Sequence, residues 1–547
     1  METIVLVLFL LLAVVISGML ARLSPVPVPL PLVQILLGAV IASSAHFGVG
    51  LDPEIFFLLF LPPMLFLDGW RIPKEGLFRD KVTILELALG LVIFTVIGIG
   101  YFIHWVIPSM PLAVAFALAA VVSPTDPIAV SAIADRVPIP KRLLHILEGE
   151  SLLNDASGLV CMRFAVAAAL TGTFSLTAAF GTFLWLALGG LAIGAALTFG
   201  VTRAVRWFTR HFGEETGSQI LISLLIPFGA YMLAEEFHCS GILAAVAAGI
   251  TMNYVESSGQ ALAATRVRRL VAWDLIQFAA NGVIFVLLGE QFPDIVRRAE
   301  HLVRDTGHHD PVWLLVYVVA ITLALAALRF AWAWTSLRFT LFRAARSGRK
   351  IATPSWRLVA ATSLAGVRGA ITLAGVLTLP LELSDGVPFP GRDLAIFLAA
   401  GVIIVSLLAA SLGLPFLLEG LKLPSDDGQQ EEEDRARVAA SEAAMRAIER
   451  ALHERGEGKA DADLYTEVGA RLMELYRQRI SGRSKSGEEA AHARKLDAVE
   501  RKLRLVGLRA ERDALYRVAH DNHLSDETLR RLVREVDLQE TRFGWDG

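Results

Sequence analysis

Ser123-Pro124-Thr125-Asp126-Pro127 lies inside an apolar run, 110–135, that is long enough to cross a bilayer. Proline has no N–H, and its ring clashes with the carbonyl four residues back. Pro124 and Pro127 therefore free the carbonyls of Ala120 and Ser123, and the spacing predicts a helix that breaks at mid-membrane. Backbone exposed at that depth is tolerated only where it lines a cavity or packs inside protein. Asp126 is placed at the break. A proline kink alone is commonly structural, but a proline-flanked aspartate in a spanning segment is much rarer and reads as functional.

A second break is expected at Gly366-Val367-Arg368-Gly369-Ala370-Ile371-Thr372, in the run 356–381, with Gly375 beyond. Glycines around an arginine favour an interrupted or closely approached helix. The two broken segments stand seven spans apart, and two interrupted helices at corresponding positions point to an inverted-repeat carrier with its site between them. An odd separation gives the repeats opposite topology.

Between them lies Glu148-Gly149-Glu150-Ser151-Leu152-Leu153-Asn154-Asp155, in the run 143–170. Ionisable groups at that depth cost roughly 2.5–3.5 kcal/mol each on insertion scales. In a helix, Ser151 and Asp155 stack on one strip and Glu150 and Asn154 on the next. One strip is suited to bind an ion and the other to hold it in place. Arg368 needs a buried anion, since a guanidinium does not lose its proton, and Glu150 is the expected partner because it leaves Asp126 and Asp155 for substrate. Other charges in apolar runs (Glu86, Arg163 and Arg329) read as snorkelling or locally paired, and Glu235, Glu236 and His238 as a solvated helix end.

Working outward, apolar segments of spanning length fall at 2–20, 30–48, 52–70, 83–106, 110–135, 143–170, 178–202, 217–236, 239–254, 271–290, 312–337, 356–381 and 393–420. The fold class is thus an all-α polytopic membrane protein of about thirteen spans. The chain has 547 residues, 54% of them hydrophobic, and a net charge of −3, which gives no reason to expect nucleic acid. Cys161 and Cys239 lack the spacing of a disulfide framework or a metal site. No GxxxxGK[ST] phosphate loop occurs, so ATP is not the expected energy source. Basic residues divide roughly nineteen to four between alternate loops, which places the N-terminus outside and the C-terminus in the cytoplasm. Near residue 424 the composition shifts to a charge-dense tail, so the expected domains are 1–423 in the membrane and 424–547 as a mostly helical cytoplasmic tail. Leu464, Val468, Leu472, Leu475 and Tyr476 form an apolar stripe there, for a partner helix or for the tail's own bundle.

Ser123–Pro127, Gly149–Asp155 and Gly366–Ala370, supported by Pro62-Pro63-Met64-Leu65-Phe66, Phe237–Leu243 and Asn281–Gly289, together resemble the cation–proton antiporter superfamily in its sodium/proton exchanger branch. The resemblance runs through most of 1–420, and Asp68–Lys74 resembles a bacterial subgroup. It implies a homodimer, each protomer with a dimerisation part and a mobile core holding two crossed, unwound helices. It also implies that Asp155 is the principal cation and proton site, that Ser151, Asp126 and the Thr125 backbone carbonyl complete the coordination, and that Glu150 pairs with Arg368. Asn154 before Asp155 resembles the electroneutral members. One departure is that relatives carry an acid four positions past the double proline, where this chain has Leu67 followed by Asp68; no proton-path role is therefore assigned to Asp68.

The function expected is exchange of a monovalent cation, Na+ before K+, for H+ across the plasma membrane, serving pH and sodium homeostasis, with no enzyme activity and no cofactor. The partners expected are a second copy and membrane lipid, with any regulatory ligand of the tail unidentified. An ion sensor signalling through its tail is the rival of another class, but 424–547 shows no output motif. A pore is a weaker rival, because it has no need of a titratable carboxylate at its centre.

Overall fold

The computed structural model describes residues 2–23, 28–44, 53–72, 84–126, 141–171, 176–256, 263–305, 310, 312–346, 355–382, 387–419, 427–456, 462–483, 487–520 and 524–544. Two compact units emerge, Met1–Leu421 and Lys422–Gly547.

In the first unit every apolar segment named above holds helix: α1 (Glu2–Leu23), α2 (Leu30–Ser44), α3 (Pro53–Arg71), α4 (Val92–Val106, entered through a π-helical turn Glu86–Leu91), α5 (Leu112–Val122), α6 (Lys141–Thr171), α7 (Leu176–Phe212), α8 (Thr216–Glu236), α9 (Gly241–Glu256), α10 (Ala263–Asp305), α11 (Val312–Arg346), α12 (Trp356–Leu364), α13 (Ala370–Leu377) and α14 (Arg392–Leu418). Helix is the form that lets a lipid-embedded backbone satisfy itself, and among the described residues there is no strand, only one isolated bridge, Glu382 to Pro388. Among the described residues, seven helices are long and apolar enough to span alone. Three outrun their apolar segments: α7 continues through Arg203, Arg206 and Arg210, α10 begins before Arg266, and α11 ends at Arg346. Hydropathy falls at the membrane surface, but helical hydrogen bonding does not stop there.

The helices sort into two bundles by packing. In one, α2 lies on α10 with α1 beside them, and α9 lies on α3, α7 and α8. In the other, α5 packs between α4 and α6, and α14 gathers α11, α12 and α13. The first bundle is built on backbone contact through glycine. A methyl on Gly38 would stand 2.8 Å from the Glu290 nitrogen and 3.0 Å from Gly289 Cα, and one on Gly249 would stand 2.9 Å from the Trp70 nitrogen. Small residues are what let helices approach this closely in lipid. Phe66, Trp70 and Trp273 cluster beside these contacts, Phe66 stacked on Trp273 with centroids 5.3 Å apart and Trp70 edge-on to Trp273.

The second unit contains α15 (Asp427–Gly456), α16 (Ala462–Arg483), α17 (Gly487–His520) and α18 (Asp526–Gly544). α15 pairs with α16, and α17 with α18. Ion pairs tie each hairpin, Arg483 to Asp434 at 2.9 Å and Arg512 to Asp537 at 2.9 Å. The expected stripe does not serve this bundle: Leu464, Val468, Leu472 and Leu475 are exposed. Gly469 and Met473 are buried instead, because Gly469 leaves room for Leu452.

Candidate functional site

Both expected breaks are present. α5 ends at Val122 and Ser123–Asp126 continue without helix, while α12 ends at Leu364 and the chain stays unwound until α13 begins at Ala370. Pro124 is buried at the first break; Pro127 lies outside the described residues. The unwound segments touch: the Asp126 N–H donates to the Val367 carbonyl at 2.7 Å. A Cβ on Gly369 would collide with the Asp126 carboxylate, so glycine at 369 is what admits Asp126. Gly369 is also the N-cap of α13, which puts that carboxylate at the positive end of a helix dipole. Gly366 has a comparable role, since a methyl there would lie 2.9 Å from Arg329 Cδ.

α6 runs past the crossing. Gly158 lets it approach, because a Cβ at that position would stand 2.7 Å from the Ala120 carbonyl oxygen. The two strips expected on α6 divide the labour. On one, Asn154 Nδ2 donates to Thr125 Oγ1 at 3.1 Å, and Thr125 Oγ1 donates to Glu150 Oε1 at 3.3 Å. This strip grips the unwound chain. On the other, Ser151 and Asp155 are buried at 5% and 4% exposure, and among the described residues no hydrogen bond or ion pair reaches the Asp155 carboxylate. Asn154 Oδ1 is also buried with no partner.

The expected Glu150–Arg368 pair is not formed. Glu150 is held by Arg329 of α11, with Nη1 on Oε1 and Nη2 on Oε2 at 2.7 Å, and Arg329 Nε reaches the Thr362 carbonyl at 3.2 Å. A planar guanidinium matches a carboxylate two bonds at a time. Arg368 is balanced differently: its Nε donates to the Val122 carbonyl at 2.8 Å and its Nη1 to the Gly366 carbonyl, while its own N–H donates to Ser406 Oγ at 3.2 Å. Those carbonyls belong to the frayed C-terminal ends of α5 and α12, where dipole and unpaired oxygens welcome a cation. The charge of Arg368 is thus answered by backbone.

Two further residues gain weight. Arg329, read from sequence as locally paired, is the one that fixes Glu150; the signal was an arginine in an apolar run with no acid on its own helix. Asp68 lies within electrostatic reach of Asp126, Asp155 and Glu148, while Leu67 is turned away and buried with Phe66 and Trp70. Arg163 reaches across to α8 and pairs with Glu235 at 2.9 Å. A cavity of about 560 Å³ opens beside that pair, lined by Leu159, Met162, Tyr231, Ile242 and Thr378, with Leu159 one turn beyond Asp155.

Two broken helices crossing beside a buried carboxylate, framed by two helical bundles, define a secondary transporter. Residues 7–420 match the family model described as sodium/hydrogen exchanger, transmembrane, and the chain belongs to that family. It is 40% identical to the uncharacterized Na(+)/H(+) exchanger YjcE of Escherichia coli (strain K12), over 99% of this chain and 98% of that protein. It is 39% identical to a sodium, potassium, lithium and rubidium/H(+) antiporter of Bacillus subtilis (strain 168), over 96% of this chain and 76% of that one. The fold resembles the sodium proton antiporter MjNhaP1 of Methanocaldococcus jannaschii, with a TM-score of 0.59 at 18% identity, covering 77% of this chain and 99% of that one. The protein is therefore a membrane-embedded cation/proton exchanger.

Proposed function

We propose that the protein exchanges Na+ for H+ one for one at Asp155, with Asp126, Ser151 and Thr125 as further ligands of the transported cation. The observation that carries this is Asp155 itself: a buried carboxylate beside the crossing, with no protein partner among the described residues. An all-oxygen ligand set suits a hard cation. Asn154 is neutral and tied to Thr125, and Glu150 is held by Arg329, so neither is free to exchange a proton for a cation. One carboxylate then alternates between cation and proton, both crossings carry the same charge, and the cycle is electroneutral. Competition for one site also slows exchange at low pH, where protons hold the carboxylate, and at high pH, where return protons are scarce.

The same proposal places the N-terminus outside and the C-terminus in the cytoplasm, on the distribution of basic residues, and makes the protein a plasma-membrane homodimer serving pH and sodium homeostasis, on the strength of the family. A broader alkali-cation specificity that includes K+ is the second reading, favoured by the named substrates of the Bacillus subtilis relative. Proton flux in proteoliposomes challenged separately with Na+, Li+ and K+ decides between them. Flux with none of the three overturns exchange at this site.

A further inference from the structure

Away from the crossing, a cavity of about 360 Å³ lies among α7, α8, α9 and the start of α10. Its size falls in the range of ligand sites. One wall is apolar, formed by Val205, Ile222, Ile226, Met252 and Val255. The polar side carries three guanidinium groups, Arg206, Arg210 and Arg269.

Arg269 is 4% exposed, and its Nε has no hydrogen-bond acceptor. Its remaining contacts are long: 3.4 Å from Nη1 to Glu256 Oε1 and 3.5 Å from Nη2 to Gln219 Oε1. Glu256 is shared, since its other oxygen accepts from Trp70 Nε1 at 2.7 Å. Arg206 and Arg210 stand one turn apart on α7, which brings both to the same face. Neither has an ion-pair or hydrogen-bond acceptor among the described residues. The carboxylates lining the cavity are Glu214 and Glu256, so three cationic groups face two acids and one positive charge is left over. On the outer side of α7, Trp207, Phe208 and Phe212 are all more than half exposed. Aromatic side chains collect where a bilayer meets water, which sets the cavity mouth at that level.

We propose that this cavity binds a phosphate group, with Arg206 and Arg210 at the mouth and Arg269 at the floor forking its oxygens. Guanidinium groups match phosphate two bonds at a time, and an orphaned Nε–H is the donor such a ligand would satisfy. The single surplus charge equals that of a phosphodiester. The apolar wall takes the first carbons of whatever bears the phosphate. A lipid headgroup and a soluble phosphate share this chemistry, and the experiment separates them.

The full-length protein, solubilised in neutral detergent, is titrated with phosphatidylglycerol, with phosphatidylcholine and with inorganic phosphate, and its unfolding temperature is followed. The Arg206→Gln/Arg210→Gln variant is run beside it. Because those two side chains make no hydrogen bond or ion pair among the described residues, the variant should fold and keep its exchange activity. Phosphatidylglycerol should raise the wild-type midpoint more than phosphatidylcholine, and the variant should need at least tenfold more lipid for the same shift. If inorganic phosphate produces the shift and the variant loses it, the source is soluble and the site stands. A shift of equal size and midpoint in wild type and variant overturns the proposal, as does a wild type that responds to none of the probes. Should the variant fold poorly, phosphatidylglycerol retained per chain in native mass spectrometry, for wild type and Arg206→Lys/Arg210→Lys, gives the second reading. The lysines keep the charge but not the planar fork, so the lysine variant should retain less lipid than wild type, and retention equal to wild type refutes the guanidinium–phosphate contact.

Discussion

Removing Arg329 should be among the most disruptive single changes in the membrane unit. Glu150 is only 1% exposed, and two of its bonds go to that guanidinium. Taking away one partner of a buried pair leaves an uncompensated charge and costs about 3–5 kcal/mol. Arg329→Ala and Glu150→Ala should each fall in that range, and the double variant should cost measurably less than their sum. The coupling energy should be about 2 kcal/mol, inside the span seen for residues in direct contact. Arg368→Ala is also expected to destabilise, but through lost stabilisation of two helix ends, worth up to about 2 kcal/mol in a partly buried setting. Its coupling to Glu150→Ala should stay below about 0.5 kcal/mol. The assay is reversible unfolding of the full-length protein in mixed micelles, applied to both double-mutant cycles. A cycle in which Glu150 couples more strongly to Arg368 than to Arg329 refutes the reassignment.

Asp155→Asn nearly keeps volume while removing charge and titration, so cation-driven proton flux should vanish from a folded protein; substantial flux removes this residue from the mechanism. Gly369→Ala drives a methyl into the Asp126 carboxylate, and the cation concentration for half-maximal flux should rise tenfold or more; unchanged kinetics argue that Asp126 is not a ligand. Liposomes clamped at different potentials under one cation gradient should exchange at one rate; a systematic voltage dependence, worth about 2.3 kcal/mol per charge per 100 mV, excludes one-for-one exchange and implicates Asp126 as a second proton carrier. Truncation near Pro424 should leave exchange intact with an altered rate or pH profile, and complete loss in a well-folded product makes the tail part of the machine.

What could be read from the chain was whatever acts through the local backbone. Pro124 removes a donor, and Gly366 and Gly369 tolerate close approach, so both breaks follow from residue type, while their crossing came from the resemblance. The split between the Glu150/Asn154 strip and the Ser151/Asp155 strip follows from helical period alone. The partner of Glu150 was not legible: two buried arginines competed for it, and distance along the chain says nothing about which helix face meets which. Arg368 looked in need of an acid because carbonyls at a helix end leave no mark in the sequence. Asp68 was set aside for standing one position late, yet on a helix one position turns a side chain by about 100°, enough here to bury Leu67 and bring Asp68 towards the acids.

The backbone contacts through Gly38, Gly289 and Gly249 bear on how this protein comes apart. Helices in lipid gain little from hiding apolar surface, because the acyl chains are as apolar as leucine. A bundle closed by backbone touching backbone keeps its attraction when lipid is exchanged for detergent or when a single copy is stretched. The bundle of α5, α6, α12 and α13 has one such contact, Gly158 on the Ala120 carbonyl, but it also depends on helix ends, an unwound crossing and the Glu150 ion pair to Arg329 of α11, all of which water weakens. Under force, or in a harsh detergent, that half should yield first and leave α2 with α10 and α3 with α9 as the last paired helices.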